Sequence, residues 1–118
     1  MGEIRIIKTK IENQELQKIA QERFGDLVKA VVDIEKEIMA IGGELHADEE
    51  AILMEQERAD RKDTWGINLY PYAVGEDFIE FDSMVNIKPS CGNRSRGVDD
   101  PMLQEKIKEI VKKLIKLS

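Results

Sequence analysis

Cysteine, aromatic residues and long apolar runs are scarce in this sequence. The single cysteine, Cys91, excludes a disulfide within the chain, which fits a reducing compartment. No apolar stretch approaches the roughly 20 residues needed to span a bilayer, and the residues after Met1 lack the apolar run of a signal peptide. We therefore expect a cytoplasmic protein with no membrane association.

The residues that are present suit one folded domain. The chain has 118 residues, of which 42% are hydrophobic and 36% are charged, and that size and apolar content support a single core. No repeat, linker or low-complexity tract divides the sequence, so we expect one domain over residues 1–118. Abundant glutamate and lysine are also typical of thermophilic proteins.

The charge is acidic overall and unevenly distributed. The formal net charge of −6 argues against a nucleic-acid-binding surface, which is usually basic. Residues 44–63 hold eight acidic and three basic side chains, whereas residues 101–118 hold two and five. These opposite charges predict either two solvated helix faces or an attraction within the chain or between copies. A homo-oligomer, in its simplest form a homodimer, or another protein partner is therefore an expectation.

The first 25 residues predict a strand followed by a helix. Residues Glu3–Ile7 contain three isoleucines, and β-branched residues favour strands. Apolar residues then recur at helical spacing, which predicts a helix that is capped by Thr9 or Asn13 and runs to about Arg23. Gly25 is expected to end this helix, since glycine adopts a left-handed conformation at low cost.

Two segments in the middle of the chain admit alternative structures. The valines and isoleucines of Leu27–Ile41 favour a hairpin that turns near Glu35 and Lys36, although they also fit an apolar helix stripe. Strong helix formers dominate Glu44–Arg61, which predicts a helix with Asp48 as its N-cap. A strand hairpin is the alternative for this second segment.

The remainder of the chain predicts two strands and a helix. Trp65–Tyr70 is rich in strand formers, and apolar and polar residues alternate through Asp77–Lys88. The pair Asp100 and Pro101 predicts the start of a final helix. The order β-α-β-β-α-β-β-α indicates an α+β domain: a mostly antiparallel sheet of about five strands with two or three helices packed on one face.

The single histidine provides the first candidate site. His46 is followed by Asp48 and Glu50, and imidazole and carboxylate groups are ligands for zinc, manganese or iron. These three residues therefore predict a divalent-metal site. His46 is also the weak candidate for a catalytic general base, because its usual pKa lies near neutrality. The alternative is structural: a helix N-terminus with a capping acid and a hydrogen-bonded histidine.

A polar loop before the final helix provides the second candidate site. Arginine offers a planar charged fork for phosphate or carboxylate, and the following helix N-terminus also attracts anions. The alternative is an ordered loop whose arginines pair with nearby aspartates. The predicted anion-binding residues are Asn93, Arg94, Ser95 and Arg96.

Two further features have both a functional and a structural interpretation. Cys91 would be a nucleophile if His46 lay beside it, and is otherwise a spectator thiol. The aromatic segment Trp65–Tyr72 would line a pocket or an interface, and is otherwise part of the core.

Four blocks spread along the chain resemble one family. They are Glu44–Glu50, Trp65–Pro71, Asn86–Pro89 and Gly92–Ser95. Together they are similar to a prokaryotic family of small proteins known as a domain of unknown function, and the likeness extends from about Ile4 to Ile115. The resemblance implies no activity, cofactor or partner.

Three classes of function remain open at this point. The first is a small binding or interaction protein without catalysis, since no complete catalytic motif is present. The second is a metal-assisted or acid–base enzyme that uses His46 and neighbouring carboxylates, with Arg94 and Arg96 holding an anionic substrate. The third is a nucleotide or nucleic-acid binder that uses the same arginine loop. A separation of more than about 10 Å between His46 and both the other candidate ligands and the arginines would leave the enzyme without a site, because coordination and hydrogen bonding act over a few ångströms.

Overall fold

The computed structural model of the protein describes residues 3–117, which form a five-stranded sheet, a pair of short strands and three α-helices. The helices are α1 (Asn13–Arg23), α2 (His46–Glu57) and α3 (Pro101–Leu114). The strands are β1 (Arg5–Ile7), β2 (Ile11–Glu12), β3 (Val28–Asp33), β4 (Ile38–Ile41), β5 (Thr64–Leu69), β6 (Ile79–Glu80) and β7 (Ile115–Lys116). The predicted α+β fold with a five-stranded antiparallel sheet is confirmed. No helix within residues 3–117 is long and apolar enough to cross a membrane.

The five strands lie in the order β1-β4-β3-β5-β6, and each neighbouring pair is antiparallel. Strands β3 and β4 form the predicted hairpin. The Asp33 carboxylate stabilises its turn by accepting hydrogen bonds from the backbone N–H groups of Glu35 and Lys36, at 2.9 and 3.2 Å. Strands β2 and β7 pair in parallel and join the start of α1 to the end of α3.

The helices pack on both faces of the sheet, which differs from the expectation that they share one face. Along β3, Ala30 and Val32 pack in one cluster with side chains of α1 and α3, whereas Val31 packs on the other side with Leu53 of α2. The cause lies in the strands. Because β3, β4 and β5 are buried along almost their whole length, both of their faces need cover.

The segment predicted as a strand over Asp77–Lys88 is mostly irregular. Only Ile79–Glu80 pairs with β5, and a 3₁₀ turn follows at Met84–Asn86. The side chain of Asn86 replaces a neighbouring strand: its Oδ1 accepts from Gly66 N–H at 2.7 Å, and its Nδ2 donates to Gly66 O at 2.9 Å. The strand prediction was therefore wrong beyond residue 80, because one polar side chain satisfies the strand edge that a ladder would otherwise satisfy.

Gly66 allows this irregular segment to approach β5 closely. A Cβ atom at position 66 would lie 2.6 Å from the Cβ and Oγ atoms of Ser83, so only glycine fits without displacing the segment. Ser83 in turn accepts a hydrogen bond from Val85 N–H at 3.2 Å. Residues 83–86 are thus held against β5 and contact α2.

The ends of the helices agree with the prediction at α3 and differ at α2. Asp100 caps α3 by accepting a hydrogen bond from Met102 N–H at 2.9 Å. Helix α2 begins at His46 with Leu45 as its N-cap, so Asp48 lies inside the first turn and is not the cap. The helical conformation of α2 also excludes the strand hairpin that was the alternative for this segment.

Candidate functional site

A row of polar side chains crosses the sheet near the start of α2. Lys29 of β3, Asn68 of β5 and Glu80 of β6 occupy paired positions on adjacent strands. The Asn68 Nδ2 atom donates to Glu80 Oε1 at 2.9 Å, and the Tyr70 hydroxyl donates to the same oxygen at 2.8 Å. The Oδ1 atom of Asn68 is buried and has no hydrogen-bond partner within residues 3–117. Because a buried acceptor without a partner costs free energy, a ligand that donates to this atom would be favourable.

His46 is the first residue of α2, and its ring is bound to the sheet. The ring is buried, and its Nε2 atom lies 2.8 Å from the carbonyl oxygen of Ile67. A carbonyl only accepts hydrogen bonds, so Nε2 carries the proton and Nδ1 carries the lone pair of the neutral ring. Burial lowers the pKa of His46, and the opposing effect of the Ile67 carbonyl does not reverse this. At neutral pH the ring is therefore uncharged, with Nδ1 as an acceptor or base.

His46, Lys29 and Asn68 line a pocket of 360 Å³, which we call the α2 pocket. Lys29 and Asn68 contribute from the sheet, and His46 contributes from the first turn of α2. Residues Asp82–Val85 and Arg96 line it from the irregular segment and the arginine loop. Sites for small molecules typically have volumes of about 300–1,000 Å³, so the α2 pocket has the dimensions of a site for a small ligand.

Arg96 joins the arginine loop to the histidine. Its Nε atom donates to Asp82 Oδ1 at 2.7 Å, and both residues line the α2 pocket. The two candidate sites that the sequence presented separately therefore meet, through His46 and Arg96, at one place. The ion pair also holds Arg96 in position, although its exposure to solvent keeps its contribution to stability small.

The other residues predicted to bind an anion have structural roles or lie apart from the pocket. Asn93 organises the loop: its Nδ2 donates to Asn86 O at 2.7 Å and Gly97 O at 2.8 Å, and its Oδ1 accepts from Asp99 N–H at 2.8 Å. Ser95 Oγ donates to Asp99 Oδ1 at 2.6 Å. Arg94 is exposed and does not line the α2 pocket. Of the four residues, only Arg96 contributes to the pocket.

The predicted metal ligands have separate surroundings. Glu50 lies one turn after His46 in α2, but its Oε2 accepts from Thr64 Oγ1 at 2.6 Å and lies 3.6 Å from Lys88 Nζ. Asp48 is exposed. Residues 3–117 contain no group of three or more His, Cys, Asp and Glu side chains arranged to hold a metal ion. Metal binding by His46, Asp48 and Glu50 stays a prediction, which elemental analysis of the purified protein would test.

Cys91 and the aromatic segment lie outside the α2 pocket. Cys91 is exposed in a 3₁₀ turn, and it is not among the residues that line the pocket with His46. Trp65 is 3% exposed in the main apolar cluster, and the ammonium of Lys88 lies 5.2 Å from its ring centroid. Tyr72, by contrast, is exposed and accepts a hydrogen bond from Gln21. Within the segment, Trp65 therefore has the structural role.

Lys29, Asn68, Asp82 and Ser83 line the α2 pocket but were not predicted as site residues. Lys29 and Asn68 each interrupt an apolar strand with a polar side chain. This interruption is a signal that the sequence does contain. What the sequence lacks is the register that places Lys29 directly opposite Asn68, because a shift of one residue would turn either side chain to the other face.

The chain matches one family model, described as "Protein of unknown function (DUF5674)", over residues 5–114. It belongs to this family. Membership in a family of unknown function agrees with the resemblance of the four sequence blocks. No curated protein and no solved structure matches the chain. Because the family description states no activity, we infer the function from the geometry of the α2 pocket.

Proposed function

We propose that this protein is a binding protein for a small anion, a carboxylate or a phosphate, which occupies the α2 pocket. One observation supports the proposal most directly. His46, Lys29 and Arg96 come from three separate elements and line one pocket at the first turn of an α-helix. That arrangement combines the cationic side chains of Lys29 and Arg96 and the neutral ring of His46 with the backbone N–H groups that a helix N-terminus leaves unpaired.

The electrostatics around the first turn of α2 favour an anion. A helix N-terminus carries a partial positive charge, and Lys29 adds a full one. Burial raises the pKa of Glu49 well above its usual value, so this first-turn acid cancels less of the positive charge than an ionised carboxylate would. The acid within the pocket, Asp82, is already paired with Arg96. The lining residues therefore include two cations and one acid, while the exposed Asp48 in the same helical turn offsets part of this positive charge.

The uncharged polar atoms of the pocket indicate a second property of the ligand. Asn68 Oδ1 is a buried acceptor without a partner in the described chain, and the Nδ1 atom of neutral His46 is also an acceptor. A ligand that carries a hydroxyl or an amino group beside its anionic group would satisfy both features. A hydroxycarboxylate or a phosphate monoester meets this requirement.

Thermal melts and calorimetric titrations test the proposal with inorganic phosphate, acetate and lactate as probes. A ligand that binds only the folded state raises the melting temperature, and the rise grows with the logarithm of the ligand concentration once that concentration exceeds Kd. We expect stabilisation of the native protein, more by lactate than by acetate, and its loss in Lys29→Met. The exposed Lys10 supplies a matched control, Lys10→Met, which should behave like the native protein. Equal responses of the two variants would contradict the proposal.

Acid–base catalysis in the same pocket is a second candidate function, favoured by the lone pair on His46 Nδ1 and the lowered pKa of the ring. The Nδ1 atom of a neutral His46 that lies beside a bound anion and Arg96 is suited to accept a proton. Release of p-nitrophenol from its acetate and phosphate esters would report turnover. The enzyme hypothesis requires a rate above buffer that His46→Gln abolishes while lactate binding remains measurable.

The setting of this function is also a proposal. We propose a cytoplasmic location, which the single cysteine supports. A homo-oligomer or another protein partner is supported by the opposite charges of residues 44–63 and 101–118, and sedimentation of the purified protein would test it. Nucleic acid is not the proposed ligand, because the net charge is −6. Elemental analysis would reveal any divalent metal bound at His46.

A further inference from the structure

A second concavity lies on the opposite side of the sheet from α2. It has a volume of 570 Å³ and runs between the loop after β5, the start of α1 and the last two turns of α3 with β7. Helices α1 and α3 pack on the face that α2 does not cover. This concavity, which we call the α3 groove, is therefore separate from the α2 pocket and shares no lining residue with it.

Apolar side chains line most of the α3 groove. Two of them are widely exposed to solvent: Val74 is 83% exposed and Leu117 is 63% exposed. Single exposed apolar residues are ordinary on a protein surface, but here they border a concavity whose other walls are apolar too. Such a grouping marks a binding site for an apolar group. The apolar lining residues that carry this argument are Val74, Phe78, Ile79, Val111, Ile115 and Leu117.

The charged residues of the α3 groove are mostly basic. Lys108 and Lys112 lie one turn apart in α3 and both line the groove, as does the acid Glu76 on the loop side. Lys108 pairs with Glu105 at 3.2 Å. Lys112 is exposed and makes no ion pair among residues 3–117. A ligand with one anionic end would therefore find a free cation beside an apolar channel.

We propose that the α3 groove binds an amphipathic carboxylate of the fatty-acid type. The hydrocarbon chain lies between the exposed side chains of Val74 on the loop and Leu117 after β7, where it removes apolar surface from water. The carboxylate lies at Lys112. This site uses a different ligand class and different residues from the α2 pocket, so it stands or falls independently of the function proposed there.

Calorimetric titration with hexanoate, octanoate, decanoate and dodecanoate tests the proposal. Each methylene buried in the groove should raise the affinity by up to about fourfold, the equivalent of about 0.8 kcal/mol. The gain should stop when the chain outgrows the groove. Octanol should bind more weakly than octanoate, because it lacks the charge that Lys112 attracts. Lactate should not compete with decanoate, since lactate is expected in the α2 pocket.

Two exposed residues give variants that leave the core intact. Val74→Asp places a charge in the apolar channel and Lys112→Glu reverses the charge at its end, so each should weaken decanoate binding at least tenfold. The matched controls are Met102→Asp, at a residue 81% exposed and outside the groove, and Lys106→Glu, also outside it. Thermal melts would confirm that all four variants fold.

Several results would overturn the proposal. Affinity that is independent of chain length would show that no apolar channel is filled. Undiminished binding in Val74→Asp and Lys112→Glu would place the fatty acid elsewhere. Retention of the protein on phosphatidylglycerol vesicles without binding of monomeric decanoate would make the groove a membrane contact. Dimerisation lost in Val74→Asp, without decanoate binding, would make it an interface between copies.

Discussion

The two faces of the sheet are built differently. Under α1 and α3, the buried side chains form one apolar cluster of 18 residues among those described, whereas the cluster under α2 has five. The α2 side instead buries charged and polar groups, among them His46, Glu49, Glu50 and Asn68. Apolar burial is the main favourable term in folding, so the α1–α3 face supplies most of the stability. The α2 face uses part of its area for polar groups that line the proposed anion site.

The polar groups of the α2 face are held by specific partners. Glu50 accepts from Thr64 Oγ1 at 2.6 Å, and Lys88 Nζ donates to Val85 O at 2.7 Å while lying 3.6 Å from Glu50. Burial lowers the pKa of Lys88, although Glu50 opposes this effect. A buried polar group needs such partners to avoid a desolvation penalty. These contacts join α2 to the segment that lines the α2 pocket, and thereby fix the shape of the pocket.

The largest effect is expected from a cavity on the apolar face. Ile107 of α3 is fully buried in the main cluster, so Ile107→Ala should lower the free energy of unfolding by about 2–5 kcal/mol. Urea denaturation measures this loss. Met102→Ala is the control on the same helix, since Met102 is 81% exposed and its truncation should change stability by less than about 0.5 kcal/mol. Similar losses in both variants would show that burial in the main apolar cluster is not the source of the stability of α3.

Asn86→Ala should have the next largest effect, because it removes hydrogen bonds on the α2 side of the sheet and leaves the apolar cluster intact. The change removes the side-chain partner of both Gly66 N–H and Gly66 O. We expect it to lower the free energy of unfolding by about 2–3 kcal/mol. It should also weaken anion binding, since residues 82–85 line the α2 pocket. Gly66→Ala is the companion variant and should act in the same direction through its clash with Ser83. Unaltered anion binding in a destabilised Asn86→Ala protein would contradict the link between this contact and the pocket.

A smaller, pH-dependent effect is expected at Glu49. Burial raises its pKa well above the usual 4.5, so the folded protein holds this proton more tightly than the unfolded chain. The stability is therefore fully present below about pH 4.5 and is lost as the pH rises through the folded-state pKa. Glu49→Gln should match the native protein at pH 4 and melt at a higher temperature at pH 8.

The exposed Glu55 of the same helix provides the control for this titration. Glu55→Gln should melt in parallel with the native protein at every pH. A difference between Glu49→Gln and the native protein that stays constant with pH would show that the carboxyl group of Glu49 titrates normally.

The smallest effect is expected at the end of α2. Arg58 follows the helix with a left-handed φ of 56°, a conformation that costs a non-glycine residue about 1 kcal/mol. Arg58→Gly should raise the stability by about 0.5–1 kcal/mol and slow hydrogen exchange in α2, with Arg58→Ala as the control. Exchange slowed equally in both variants would show that the backbone conformation is not the cause.

Patterns of apolar residues predicted the elements of the fold well where packing determines structure. The hairpin at Glu35 and Lys36 follows from such a pattern, and the capped start of the last helix follows from the local signal of Asp100 and Pro101. The failure beyond Ile79–Glu80 has a local cause in Asn86, whose side chain completes the edge of β5. Alternation of apolar and polar residues does not distinguish a strand from a loop whose polar side chains bind a strand edge.

The α2 pocket was predictable only in part. His46 and Arg96 were recognisable by residue type, but their meeting at one pocket depends on how the irregular segment is folded against β5 by Gly66. Lys29 and Asn68 require the strand register. Such long-range placement comes from tertiary contacts and leaves little trace in local sequence patterns.

The most direct test of the central claim is an NMR titration of the isotope-labelled protein with lactate and phosphate. We expect saturable shifts at the backbone amides of Leu45–Ala47 and at the side-chain amide of Asn68. We also expect a rise in the pKa of His46, because an anion stabilises the charged ring. Shifts confined to the lysines of α3, or no saturable shift at all, would contradict the assignment of the α2 pocket as an anion site.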